Sequence, residues 1–177
     1  MNISTFAGRL TYVCRVLLWA FPGRLLFSLT FHNWYGVRRG ILRLFGARLG
    51  HSVIVRPSVV ITRPWNLIML EHATLGDRSR VHCEVPVRIG ARSTVSQYSV
   101  LDTSTRDVDL PGLPLLCRPI EIGDDCWIAA DVYVGPGVRV GDGTIVGSRA
   151  SVFADLPSWR IMGGEPLREL GVRTPPK

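Results

Sequence analysis

IGDDCWIAADVYVGPGVRVGDGTIVGSRASV, residues 122–152, carries an aliphatic residue at every sixth position: Ile122, Ile128, Val134, Val140, Val146 and Val152. Working back toward the N-terminus, the spacing recurs in three runs of three: Leu49, Val55, Ile61, then Met69, Leu75, Val81, then Ile89, Val95, Leu101. Leu, Ile, Val and Met make up about three residues in ten, so chance would fill about five of these fifteen positions rather than all of them. Two extra residues separate one run of three from the next. The pattern predicts a solenoid whose 18-residue coil has three sides.

The fifth residue of each hexapeptide is small (Ala, Cys, Ser, Thr or Val) except at Trp65 and Leu156, as a narrow prism requires. Gly50, Gly76, Gly90, Gly123, Gly135, Gly141 and Gly147 each follow an aliphatic and are expected to supply the backbone freedom of tight corners. The fold class expected is an all-β solenoid, a parallel β-helix of about five coils stacked about 4.8 Å apart.

Three segments follow. Residues 1–48 form a basic amphipathic helical arm, 49–157 the β-helix with an excursion loop over 107–121 (DVDLPGLPLLCRPIE), and 158–177 a C-terminal turn, a short helix and a Pro-Pro-Lys tail without fixed structure. The net charge of +7 is local, because Arg9, Arg15, Arg24, Arg38, Arg39, Arg43 and Arg48 stand in the arm without one acid, while the rest balances at fourteen against fourteen. A basic solenoid would suggest nucleic acid; a basic, apolar arm points to an anionic membrane surface, or to packing on its own or a neighbouring prism. The apolar runs 16–21 and 25–31 are broken by Pro22, Gly23 and Arg24, and each is short of the roughly 20 residues that span a bilayer. Cys14, Cys83, Cys117 and Cys126 show neither metal-ligand spacing nor a disulfide framework, so reduced thiols in the cytoplasm and no metal are expected.

RGILRLFGARLG (39–50), RPSVVITRPWNL (56–67), PIEIGDDCWIAADVYVGPGVRVGDGTIVG (119–147) and DLPSWRIMGGEPLREL (155–170) resemble the hexapeptide-repeat acyltransferases, closest to the colanic acid and exopolysaccharide acetyltransferases. The resemblance implies a left-handed β-helix, a homotrimer, acetyl-CoA in a groove between prisms, and a sugar or lipid-linked sugar acceptor. It also implies that Trp127, Ala129, Ala130, Gly147 and Ser148 line the donor groove, with Arg168 and Arg173 reaching the CoA phosphates. A cytoplasmic protein, peripheral on the inner membrane face through residues 1–48, is expected.

Acyl transfer to an alcohol needs a base. The family stretch Leu-Cys-Thr-Gly-Ser-His-Asp falls on Leu101, Asp102, Thr103, Ser104, Thr105, Arg106 and Asp107, so the family's His is Arg106, and a guanidinium cannot take the proton. His82 and Asp102 occupy equivalent places in successive coils and form the substitute candidate pair, as catalytic base and orienting carboxylate; a surface ion pair is the plainer reading. Asp107 is a second candidate, and Arg106 would serve to steady an oxyanion or bind an acidic sugar. Two functions stay open: an O-acetyltransferase of surface polysaccharide synthesis, or a catalytically lapsed trimer acting as scaffold or sugar-binding subunit. A β-helix carbonic anhydrase would need a third His beyond His72 and His82, which the later chain lacks.

Overall fold

In a computed structural model describing residues 6–175, two-residue and three-residue strands wind into a three-sided, left-handed parallel β-helix. Pro176 and Lys177 of the expected tail lie outside the described residues. Five coils are complete and a sixth contributes Leu156 to the first face and Arg160–Gly163 to the second, slightly more than the five expected. Fourteen of the fifteen aliphatic positions are buried, and Leu49, on the first coil, is partly buried. Each fully buried aliphatic contributes about 1.5–3 kcal/mol, so this column is the main stabilising element.

The in-register offset between coils is 20 residues at first (Ile68 with Arg88, Thr74 with Thr94), 33 from Arg88 to Glu121, and 18 afterwards (Glu121 with Arg139). All the extra residues leave at one corner, between the third face and the first. There they form the 3₁₀ turn Pro64–Asn66, the bend after His82, and a ribbon in which Ser104–Arg106 pairs antiparallel with Leu115–Cys117. The excursion thus begins earlier and ends earlier than 107–121: Ile120–Ile122 already lies on the first face between Val87–Ile89 and Arg139–Val140.

The glycines act through space, not torsion. A Cβ on Gly90 would stand 2.2 Å from the Gly123 carbonyl oxygen, and one on Gly50 2.6 Å from the Glu71 nitrogen, so coils stack closely only where no side chain intervenes. The left-handed backbone positions at the corners fall instead on residues such as His72, Arg92, Tyr98, Asp125, Asp131 and Arg149. Most of the small inward positions behave as expected, and their hydroxyls bond the coil backbone, as in Ser93 to Gly123 O at 2.6 Å and Ser99 to Ala129 O at 2.7 Å. At the slack corner the expectation fails, since Thr105 is exposed on the ribbon and Val85 only partly buried, while Cys83 and Thr103 are buried.

The arm is more continuous than its sequence suggests. Helix α1 (Phe6–Leu18) runs through a π turn (Trp19–Gly23) into α2 (Arg24–Ser28), and α3 (Tyr35–Leu44) follows. Pro22 lacks a backbone donor and its ring would crowd the preceding turn; widening that turn, with Arg24 N–H donating to Trp19 O, absorbs it without a break. Gly23 is required because a Cβ there would lie 2.7 Å from the Phe45 ring.

Between coils, N–H groups such as those of Ile54 and Arg56 donate to carbonyls one coil later (Ala73 O and Leu75 O), while corner residues such as His72 donate back, to His51 O. The first coil has no preceding coil, so its carbonyls that face outward, away from the second coil, lack a donor from the repeat. The arm supplies the missing donors. Trp19 Nε1 donates to Ile61 O (2.7 Å), Arg38 Nε to Val55 O (2.6 Å), Arg39 to Val53 O (3.0 Å) and Arg43 to Leu49 O (2.9 Å). An exposed sheet edge invites pairing with other chains, and this one is closed by side chains on helices. Three of the arm's arginines are thus consumed by its own prism, as is Arg15, which donates to Phe45 O and lies over the Trp65 ring.

The C-terminus differs from expectation. In place of a short helix, Arg168–Val172 returns antiparallel to Arg160–Gly163. The sixth coil leaves a bare strand edge on the second face; Gly164 (φ +90°) and Pro166 turn the chain back along it, and Arg160 pairs with Glu169 at 3.4 Å.

Candidate functional site

The slack corner gathers one group of candidate residues. His82 and Asp102 end successive strands of the third face and stand in register, as their equivalent places in the repeat predict. No hydrogen bond or ion pair joins them among the described residues: Asp102 Oδ1 instead accepts from the Ser104 N–H (2.9 Å) and hydroxyl (2.8 Å). The His82 carbonyl accepts from Thr103 Oγ1 at 2.9 Å, which fixes the strand and leaves the half-buried imidazole unengaged by these bonds. Asn66 donates to the Cys83 and Glu84 carbonyls, and Arg63 pairs with Glu84, so the floor of the corner is rigid.

Arg106 lies on the ribbon, exposed, with Nη1 donating to Leu113 O at 3.2 Å. Asp107 follows it and accepts from the Asp109 N–H at 3.1 Å, closing the base of the ribbon tip. Tyr133, in the next coil, has its hydroxyl pKa raised by burial and by the neighbouring Asp102 carboxylate. The buried thiols of Cys83 and Cys126 are likewise raised by burial, which disfavours the nucleophilic thiolate.

A second group flanks the second face. Trp127 is half exposed, with its indole N–H donating to Ser96 Oγ at 3.0 Å. A shallow groove beside it is lined by Arg92, Thr94, Asp125 and Arg173. Arg92 clamps the Asp125 carboxylate with two bonds of 2.7 and 2.6 Å, which lowers the Asp125 pKa. Arg173 donates to Asp125 O and Gly143 O, tying the C-terminal strand to the coils. At the corner leading to the third face, Ala130 and Ser148 line a second groove with Gln97, Tyr98, Asp131 and Arg149. Ala129 is buried one residue earlier, bonded to the coil that carries Gly147, whereas Arg168 stands exposed on the terminal strand.

Candidates from the sequence therefore fall into two sets on adjoining faces, with Arg168 and Arg173 divided between the strand surface and the groove. Ser104, Arg92 and Asp125 were missed. Arg92 and Asp125 share one place in successive coils, so the repeat offset alone would have paired them.

Comparison along the chain fits this geometry. The signature of the bacterial transferase hexapeptide family (six repeats) matches residues 119–154. An Escherichia coli (strain K12) protein named "Putative colanic acid biosynthesis acetyltransferase WcaF" is 41% identical over 152 residues, 86% of this chain and 84% of that protein. This chain belongs to the hexapeptide-repeat acetyltransferases. The galactoside O-acetyltransferase of the same organism is 38% identical over 50 residues, 28% of this chain and 25% of that protein. Among solved structures, a hexapeptide-repeat acetyltransferase from Vibrio cholerae complexed with acetyl coenzyme A superposes at a TM-score of 0.84 with 20% identity, covering 99% of this chain and 93% of that one. A maltose O-acetyltransferase from Clostridium difficile superposes equally well, at 0.84 with 20% identity over 93% and 89% of the two chains. The structural likeness extends the hexapeptide-repeat acetyltransferase fold through the helical arm, beyond the repeats themselves.

Proposed function

We propose that this protein transfers an acetyl group from acetyl-CoA to a sugar hydroxyl during surface polysaccharide synthesis. The observation that carries the reading is the 41% identity with the colanic acid relative over 152 residues, which favours an enzyme over a lapsed scaffold. The protein acts as a homotrimer, in which the second face of one prism meets the slack corner of a neighbour. Two candidate sets that lie on adjoining faces of one chain then join across the interface. Trp127, Ala129, Ala130, Gly147, Ser148, Arg168 and Arg173 hold the donor, and the guanidinium forks suit phosphates.

In the reaction, the acceptor oxygen bonds to the thioester carbonyl carbon, its proton passes to a base, and the carbon–sulfur bond breaks to release CoA. His82 is the base we propose, with Asp102 aligning the acceptor segment through Ser104 and Arg106 steadying the oxyanion or an acidic sugar; Asp107 shapes the ribbon. The work takes place in the cytoplasm, peripherally on the inner face of the membrane.

Titration calorimetry with acetyl-CoA tests the donor half. Saturable binding that Trp127→Ala weakens about tenfold or more supports it, whereas absence of binding refutes the transferase reading. With acceptor in hand, His82→Ala should abolish transfer while leaving acetyl-CoA affinity unchanged; full activity in that variant removes His82. Light scattering that gives a monomer at micromolar concentration refutes the trimer.

A further inference from the structure

The arm's inner face is spent on the first coil, but among the described residues nothing covers its outer apolar face. Leu10, Val13, Leu17, Phe21, Leu25 and Leu29 run along one side of the continuous α1–α2 segment, all at least half exposed, with Phe21 at 78% and Leu29 at 71%. Apolar stripes of this length on a helix already packed by its other side mark a surface that meets something else. We propose that this face docks onto an anionic lipid bilayer, with α1–α2 lying flat in the headgroup layer.

The segment Leu10–Ser28 is long and apolar enough by composition to cross a membrane. Its inner side forbids crossing. Trp19 and Phe27 are 3% and 1% exposed in the core, and the Trp19 indole serves the Ile61 carbonyl. Inserting the helix end-on would strip those groups from the first coil and uncover its carbonyls, whereas lying flat keeps every inner contact and buries the outer stripe.

Two features favour lipid over a second copy of the chain. Four of the seven arginines in the first 48 residues are engaged by the chain itself, but Arg24 stands on the outer side and no acid accompanies it anywhere in the arm, so arm-to-arm contact would bring like charges together with nothing to offset them. Arg24 also sits within the stripe, in a shallow groove with Ala20, Phe21, Leu25 and Ser28. A cation between apolar walls matches a lipid phosphate above its acyl chains, and the long side chain can hold its head in the headgroup layer.

Docking stands the solenoid on its first coil. The slack corner of the second and third coils then lies above the lipid by one helix diameter, about 10 Å, plus two or three coil spacings, about 10–14 Å. Resting on the acetyl-transfer reading, this height selects a lipid-linked oligosaccharide as acceptor over a free sugar.

The experiment is flotation of the full-length protein with vesicles of phosphatidylcholine containing about 30% phosphatidylglycerol, against pure phosphatidylcholine, at low and high salt. Wild type should float with the anionic vesicles, and the triple variant Leu17→Ser/Phe21→Ser/Leu25→Ser should partition roughly a hundredfold less. All three positions are exposed, so the fold is retained, and an unchanged melting temperature verifies it. Vesicles should also slow maleimide labelling of wild-type Cys14, which is exposed on the same helix. Wild type that stays at the bottom of the gradient, a triple variant that floats equally, or unslowed Cys14 labelling overturns the proposal. A triple variant whose main change is a lower assembly mass also overturns it, in favour of a second copy. Calorimetry with acetyl-CoA on the same lipid-free samples separates the two readings: binding without flotation removes the membrane alone, and flotation without binding removes the transferase alone.

Discussion

Replacing Arg38 with Met should undock the arm while leaving the coils folded. Arg38 is fully buried and makes four hydrogen bonds: Nε to Val55 O (2.6 Å), Nη1 to Thr30 Oγ1 (2.9 Å) and Phe31 O (2.8 Å), and Nη2 to His32 O (2.7 Å). It has no carboxylate partner among the described residues. Burial lowers its pKa, opposed chiefly by Tyr35, yet a guanidinium remains charged at any working pH. Met fills much of the stem volume but offers no donor. Val55 O, sealed under the arm, then costs about 1–3 kcal/mol as an orphan, and the Phe31 and His32 carbonyls, nearer to solvent, add less because water reaches them. Removing a desolvated charge returns part of this, and no opposite charge is stranded, so the net loss is about 2–4 kcal/mol. That corresponds to an increase of about 30- to 700-fold in the arm's opening equilibrium. Hydrogen exchange should read it as lost protection across residues 24–44, with the third to sixth coils unchanged. Arg38→Lys should rescue less than half, since one ammonium cannot reach both Val55 O and His32 O. Unaltered exchange in the arm would refute the capping argument, and equal loss in every coil would show that arm and solenoid unfold as one unit.

Gly90→Ala should destabilise by about 3 kcal/mol or more in denaturant titration, because its Cβ meets the next coil's backbone. Gly40→Ala, on α3 with open space around it, should instead stabilise the arm by about 0.5–1 kcal/mol; a loss there would show an unrecognised contact. Cys83 and Cys126 are buried and Cys14 exposed, so at pH 8 a thiol reagent should modify Cys14 at once and the buried pair only on unfolding. Because burial raises both buried thiols, the fold favours their neutral form, and stability should be intact below the unfolded thiol value of about 8.5 and decline above it. Melting temperatures from pH 7 to 10 check this, and Cys83→Ala/Cys126→Ala should flatten the alkaline limb.

The coils were readable because each aliphatic position is determined by its own neighbours at i±6, and a three-sided prism has one inward direction per side. The same regularity paired His82 with Asp102. It did not reveal that Asp102 would turn to Ser104, since a two-residue hydrogen bond competes with an interstrand partner only once the ribbon geometry is set. The glycine corners were located correctly but for the wrong reason: torsion can be guessed from one residue, whereas contact with Gly123 or Glu71 requires the neighbouring coil. Pro22 looked like a break because local propensity says so, and the π turn that absorbs it is sustained by Trp19 and Phe27 packing beneath.

Sequence alone determined the repeat, its three-sided coil, the slack that accumulates between runs of three, and the segregation of charge into the arm. These follow from period and composition, which need no knowledge of distant contacts. Tertiary structure alone decided what the ends do. The first coil's outward-facing carbonyls, such as Val55 O and Ile61 O, have no preceding coil, so the arm's Trp19 and arginines become their donors, and the last coil's bare edge draws the C-terminal segment into a strand rather than a helix. A backbone group left without its periodic partner is satisfied by whatever the rest of the chain brings near, and that is a property of the assembled fold.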